Sequence, residues 1–432
     1  MMYKLEFELE QHTPIIHFQA RDAGATLRAS EVKPKLDKFV LTQIGKGFVN
    51  DPKANEEEYY KAGKKHLQNK DAEARRVYEE EKKKGNKDAK LELCLIPGQE
   101  GALNYKLSFK LSPDAKVQYF LPMSSNPKEI DKLKSLAQEK LGVQGVEILP
   151  LTSYFANEDK AKLKPNIKRG DTPSQIKNKK RIFEKNWQKV QLVTLVNAPI
   201  EGTIYFQNDE LKGVVNNLIA VFFMLHNFGA RQTKGFGSYI IRSLNAKRVY
   251  SNPKTVTETM RNYGVKAYLQ YHSNKPSILL KQIASFHKKI KTANGDKISE
   301  IRWYFDKDEI EWEKPIARKL LSLDVEEDTE ESYTQKYIRA LLGLHNLFDF
   351  SQLKKQVKVS HKTIERFASP IVYKPIGSSI FLILRKIDNE MLNTKFIFSY
   401  GDKEEPVMTP SKFDLVDFIS FIEDDDLHCY KG

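Results

Sequence analysis

Tyr3, Leu5, Phe7 and Leu9 alternate with Lys4, Glu6 and Glu8, a period of two that predicts a half-buried strand. A loop over residues 12–25 leads to a helical pattern over 26–44, whose regular part is expected to begin at or after Pro34, because proline lacks a backbone donor. Residues 51–90 are rich in both charges and poor in aliphatics, and read as an exposed helical excursion presenting a solvated face. Strands are expected at 91–96, 104–111 and 116–121, followed by a short amphipathic helix at 128–141 and a polar insertion over about 157–189. The most regular section comes next. Residues 190–198 and 202–207 read as strands, 209–228 as a largely buried helix, 229–238 as a glycine loop and 239–244 as a strand.

After about residue 250 the pattern turns more helical, with helices expected at 255–270, 277–292, 332–344 and 412–423 and strands near 379–387 and 395–400. The alternation β–β–α–loop–β, joined to the first strand and helix, predicts an α+β chain. The expected architecture is two ferredoxin-like (RRM-like, βαββαβ) domains. The first, 1–250, carries insertions at about 51–90 and 124–189; the second, 251–432, is helix-richer and degenerate.

Charge changes the picture. The 432 residues carry a formal net charge of +14, which points to a polyanionic partner. Between 157 and 189 eleven Lys and Arg face four Asp and Glu, a net +7 that is half of the whole chain's excess. Cys94 and Cys429 lie far apart without CxxC spacing, which argues against a zinc site or a disulfide framework and fits a reducing compartment. No secretory h-region opens the sequence, and the most apolar run, 218–225, is too short to span a bilayer. A cytoplasmic location, no membrane partner and no cofactor are therefore expected; no metal-ligand cluster, Walker loop or GxSxG elbow is present.

The loop GARQTKGFGSY holds the candidate chemistry. Gly229, Gly235 and Gly237 permit positive φ and close backbone approach. Arg231 and Lys234 add cations, and Phe236 and Tyr239 offer rings on which a base could stack. Exposed amides beside cations make a phosphate site; the plainer alternative is a helix C-cap and a tight turn. Set between a helix and a strand, this run resembles the glycine-rich GxRxxxGxG-like loop of the RAMP superfamily. The N-terminus adds Thr13-Pro14, Gly24 and Leu27-Arg28-Ala29-Ser30, similar to the opening of RAMP subunits. RALLGL (339–344) and RFASPIVYKPIG (366–377) look like second-domain segments of larger ones. The chain departs from them after the Leu-Arg pair, where Glu31, Val32, Lys33 and Pro34 stand in place of a Trp- or Arg-rich continuation.

The resemblance is to subunits of type III CRISPR effector complexes, most of all the two-domain subunit of Cmr (type III-B) complexes located near the guide 3′ end. It implies a non-catalytic RNA-binding subunit in antiviral defence, with crRNA, target single-stranded RNA and other RAMP subunits as partners. Arg28, Lys33, Arg231, Lys234 and the basic segment, including Lys179, Lys180 and Arg181, would line the RNA backbone, and base pairing would read sequence. Two alternatives stay open: a guide-processing endoribonuclease using His12 or His17, and a basic scaffold for protein partners. His12 and His17 flank TPII an odd number of steps apart, on opposite faces if the segment is extended. Asp22, in the first loop, is the other catalytic candidate; turn capping or pairing with Arg21 is its plainer role.

Overall fold

The computed structural model describes residues 2–16, 27–51, 54–122, 129–142, 145–149, 161–190, 193–250, 252–292, 298–323, 333–344, 346–350, 353 and 355–430. His17, Asp22 and Gly24 lie outside the described residues. The chain divides into two compact units, Met1–Gln232 with Phe236–Met260, and Thr233–Gly235 with Arg261–Gly432. Both are α+β.

The first unit runs β1 (Tyr3–Gln11), β2 (Ile15–Ile16), α1 (Ala29–Lys46), α2 (Glu56–Lys83), β3 (Tyr105–Leu111), β4 (Val117–Pro122), α3 (Ile130–Leu141), β5 (Glu147–Leu149), α4 (Pro173–Lys189), β6 (Val193–Val196), β7 (Ile200–Phe206), α5 (Asp209–Leu225), β8 (Tyr239–Leu244) and β9 (Lys247–Arg248). Its main sheet is ordered β3-β7-β1-β8-β9 and a smaller one β2-β6-β4-β5. As the alternation requires, Leu5, Phe7 and Leu9 point inward from β1. Phe7 lies opposite Gly202 of β7, where any Cβ would overlap its ring. The same ring meets Phe109 edge-on at 6.2 Å and Phe223 of α5 at 5.8 Å, so the helix closes over the sheet through aromatic contacts.

Helix α6 (Pro253–Asn262) bridges the chain into the second unit. There follow β10 (Ala267–Gln270), α7 (Pro276–Lys291), α8 (Glu300–Asp306), β11 (Ile310–Glu311), α9 (Lys314–Leu320), β12 (Thr334–Gln335), β13 (Leu347–Phe350), β14 (Lys355–Ser360), β15 (Ile371–Ile376), β16 (Ser379–Leu384), β17 (Lys395–Tyr400), β18 (Lys403–Met408), α10 (Leu415–Phe421) and β19 (Leu427–Cys429). One sheet is ordered β15-β16-β10-β19 and another β13-β14-β17-β18. Both units share a scheme. The series β1-α1-β3 … β7-α5-β8 and the series β10-α7 … β15-β16 … α10-β19 each give an antiparallel sheet with strands in the order second, third, first, fourth.

Several expected boundaries are corrected. Helix α1 begins at Ala29, not at Pro34. The proline removes a single bond, to the Ser30 carbonyl, close enough to the N-terminus for the helix to continue past it. Residues 91–96 form no regular strand and make only an isolated bridge, Leu95 to Leu103. The helix expected over 255–270 ends at Asn262, where Gly264 in the left-handed region turns the chain into β10. Over 332–344 the only helix among the described residues is a 3-10 segment, Ile338–Leu342.

The excursion at 51–90 does contain a long helix, α2, started by a capping box between Asn55 and Glu58. It is not merely solvated. Gly45 of α1 and Gly63 of α2 bring the two helix backbones together: a Cβ on Gly45 would stand inside the Tyr59 carbonyl oxygen, and one on Gly63 inside that of Leu41. Asp71 of α2 then accepts from the Cys94 and Leu95 amides at 2.7 and 2.9 Å. Helix propensity favours alanine over glycine by about 1 kcal/mol, but overpacking against backbone costs about 1–3 kcal/mol. Gly45→Ala is therefore expected to lower stability in chemical denaturation, whereas Gly47→Ala, which meets nothing closer than 3.4 Å, leaves it unchanged.

Candidate nucleic-acid interface

The glycine loop is divided between the units: its shoulders belong to the first and its tip, Thr233–Gly235, to the second. In the first unit the shoulders are sewn to the segment after β1. Ala230 donates to the Ile16 carbonyl and Gly237 to that of Pro14, both at 2.8 Å; His12 donates its backbone amide to Ser238 at 2.8 Å. Ser238 donates to the Thr13 hydroxyl at 3.0 Å, and the Gly229 amide donates to the Glu31 carboxylate of α1. Gln11 braces the same corner, donating to the carbonyls of Thr13 and Thr194 and accepting from the Val196 amide.

The glycines are needed for this approach. At Gly229 (φ 81°) a Cβ would lie 2.6 Å from the Ile16 oxygen, and at Gly237 (φ 65°) it would enter the Phe228 carbonyl. The amides of Gly229 and Gly237, expected to face phosphate, are thus already engaged by protein acceptors. The rings of Phe236 and Tyr239 are fully buried, which corrects the expectation that they stack on bases. Arg231, itself in the left-handed region at φ 55°, is half-buried.

In the second unit the tip joins the sheet edge, with Tyr373 donating to the Thr233 carbonyl at 3.1 Å, and Gly235 faces Ile283 and Pro375. Lys291 of α7 is buried and donates to the carbonyls of Leu342 and Gly343. Burial first, and the neighbouring cations Arg339 and Lys234 second, pull its pKa down to about 7. Arg339, from the RALLGL segment, pairs with the buried Glu313. Lys374, in the YKPIG segment, is fully buried, and desolvation holds its pKa well below the usual lysine range.

The other expected cations separate into two groups. Lys33 is structural: it donates to Asp37 at 2.6 Å and to the Leu103 carbonyl at 2.8 Å, and lies 4.2 Å above the Tyr105 ring. Arg28 is the half-buried N-cap of α1. Lys179 pairs with Asp171 through both carboxylate oxygens at 2.8 Å. Lys180 and Arg181 are exposed. Their helix, α4, is positioned by its other face, where Trp187 is buried with Leu121, Leu133 and Val190 and donates to the Lys162 carbonyl at 3.1 Å. A capping box between Thr172 and Gln175 and proline at the first position start the helix.

Opposite the buried face, Lys177, Arg181, Lys185 and Lys189 recur every four residues and are all exposed. Four residues advance a helix by about 6 Å, so these cations form a row. The sequence placed the charge in this segment but did not single out Lys177, Lys185 and Lys189; their i, i+4 spacing outward from Trp187 was the available signal. His12 is half-buried between β1 and β2. Among the described residues no group of three His, Cys, Asp or Glu is placed to hold a metal ion, and no helix is long and apolar enough to cross a membrane.

These features define a two-unit α+β protein with a cation-studded helix set into its first unit. Sequence profiles of the Cmr1 N-terminal domain and the Cmr1 C-terminal domain match residues 2–294 and 296–431. The chain belongs to the Cmr1 family and is a Cmr1-like subunit of the type III-B CRISPR (Cmr) class. No curated protein matches it. Among solved structures it is similar to Cmr1 from Pyrococcus furiosus in its apo form, at 10% identity over 90% of each chain with a TM-score of 0.36. A chain of the type III-B Cmr-beta complex bound to cognate target RNA matches at 12% identity over 89% of this chain and 96% of that one, with a TM-score of 0.34.

Lys33 offers a pH test of its structural role. Desolvation raises the Asp37 pKa and the Lys33 ammonium opposes that rise. Removing the cation by Lys33→Met leaves a mostly buried carboxylate unpaired, at a cost of about 2 kcal/mol or more at pH 7. With the folded pKa above the unfolded one, the folded chain binds the extra proton, so the deficit shrinks as pH falls through the Asp37 titration. Urea denaturation of both proteins between pH 4 and 7 measures it; a deficit that does not change with pH would assign the loss to packing.

Proposed function

We propose that this chain is a non-catalytic, cytoplasmic RNA-binding subunit of a type III-B CRISPR ribonucleoprotein, holding the 3′ region of crRNA and helping to admit target RNA, with other RAMP subunits as neighbours. The observation that carries the reading is the outward row of Lys177, Arg181, Lys185 and Lys189 on α4, flanked by Lys180. Cations at that pitch follow a sugar–phosphate backbone without reading bases, as suits a complex in which guide–target pairing supplies sequence. Arg28, Arg231 and Lys234 are further phosphate contacts in this reading. The strand order shared by the two units supports two ferredoxin-like domains with insertions, dividing near residues 250–260.

Salt dependence tests the interface. Each neutralised phosphate on a single strand adds about −0.7 to the slope of log K against log salt. Replacing Lys177, Lys180, Arg181 and Lys185 with Glu is expected to flatten that slope by about 3 and to weaken binding uniformly across RNA sequences, measured by fluorescence anisotropy. An unchanged slope removes the proposal.

The rival reading is a guide-processing ribonuclease. Incubation with repeat RNA in the absence of metal is expected to leave the RNA intact; site-specific cleavage abolished by His12→Ala would establish the rival instead.

A further inference from the structure

Trp303 of α8 is 60% exposed and Phe421 of α10 is 39% exposed, large rings to leave in water. Both lie in the second unit, on helices that pack against each other. Tyr304, next to Trp303, packs against Phe421, Phe418 and Phe413 with ring centroids 5.6, 5.4 and 5.7 Å away, and its hydroxyl donates to Asp417 at 2.7 Å. Lys307, one turn beyond Trp303 on the same side of α8, lies 3.9 Å above the Tyr304 ring and 3.6 Å from Asp417. The outer sides of α8 and α10 are thereby fixed beside each other.

The charge around these rings opposes that of the whole chain. Residues 300–309 and 413–426 together hold ten Asp and Glu against Arg302 and Lys307; Lys289 of α7 adds a third cation, paired with Asp424 at 2.9 Å and Glu300 at 3.6 Å, so the balance is −7 within a protein of +14. Arg302 is itself held by both oxygens of Glu311 at 2.8 Å. Carboxylates at this density repel phosphate, so the face is unsuited to RNA and to an anionic lipid surface. Exposed aromatic rings within a rim of one sign suit a protein partner of the opposite sign: the rings supply the desolvated anchor and the rim supplies register and encounter rate.

We infer that the α8–α10 face, centred on Trp303 and Phe421, docks a basic protein surface belonging to a neighbouring subunit of the same complex. The inference rests on the reading of this chain as a subunit of an assembly, but not on its RNA contacts. It assigns the two ends of the molecule's charge asymmetry to different partners.

The test places a photo-reactive residue on the face, Trp303→p-benzoylphenylalanine, in the full chain assembled with the other protein subunits and RNA of its type III-B complex. Illumination is expected to join position 303 to a Lys- or Arg-bearing segment of another protein subunit. A crosslink to RNA, a crosslink to a second copy of this chain, or no crosslink in a fully assembled complex would each overturn the inference. A second arm uses Trp303→Ser with Phe421→Ser, and separately Asp306→Lys with Glu423→Lys. Both are expected to weaken association with the crosslinked subunit at least tenfold while RNA affinity and its salt slope stay unchanged; unaltered association sinks the proposal. Unchanged RNA affinity and salt slope in the α4 variants, with association intact, would instead count against the RNA reading alone.

Discussion

In the first unit the backbone of 13–16 lies against that of 228–230 and 237–238, so close at Gly229 that a Cβ would meet the Ile16 carbonyl, and much of the molecule follows from that contact. Gly237 donates to Pro14, Ala230 to Ile16 and Gly229 to Glu31, which ties the end of β1, the first turn of α1 and the entry to β8 into one corner. A backbone amide already engaged by a protein acceptor has no donor to offer a ligand. The geometry that makes the glycines indispensable is therefore the same geometry that withdraws them from phosphate. The loop's role becomes architectural: it sets where Arg231 emerges and how the chain leaves the first unit for its excursion at Thr233–Gly235.

The electrostatic work passes to elements inserted into the sheet's connections. Helix α4 lies between β3 and β7 in sequence and packs on the small sheet through Trp187, leaving its outer face without a role in the core. A helix held on one side by a tryptophan and a capping box can carry a row of like charges, because each costs little when fully hydrated. Burial changes that balance. Lys291 and Lys374 in the second unit sit where desolvation disfavours the ammonium, and Lys33 is matched to Asp37. Position relative to the core, more than the number of lysines, decides which cations can meet a polyanion.

What the sequence made legible follows the range of the forces involved. The alternation over 3–9 and the apolar period of α5 are local, and the structure places β1 and α5 accordingly; helix α4, inside the stretch read only as a polar insertion, is a finding of the structure, started by the capping box of Thr172 and Gln175. Strand β10 was hidden because AYLQ continues the apolar spacing of the helix before it, and only Gly264 marks the break. The helix expected over 332–344 fails for a tertiary reason: the carbonyls of Leu342 and Gly343 turn toward Lys291, and Gly343 at φ 115° ends the 3-10 turn. The burial of Phe236 was illegible because its neighbour Gly237 is pinned to Pro14, a partner in the first loop, far away along the chain. Lys33 and Arg181 look alike in sequence, and only the fold separates a paired cation from an exposed one.

The two units apply one strand order to different ends. In the first, α2 and the segment from β4 to β6 interrupt the strands that share this order; in the second, the segment from α8 to β14 and the hairpin of β17 and β18 do so. Insertions at connections leave the antiparallel ladders intact, since those ladders are set by pairings such as Leu5 with Ile204 and Leu269 with Ile380, and each insert needs only enough apolar surface to seat itself. That freedom lets surface chemistry diverge while the frame repeats: the insert carrying α4 gathers lysine and arginine, whereas α8, packed beside α10, gathers carboxylates around exposed rings. A chain with its charges segregated in this way can face a polyanion with one set of inserts and a basic neighbour with another, while the glycines of the 229–238 loop hold the first frame together.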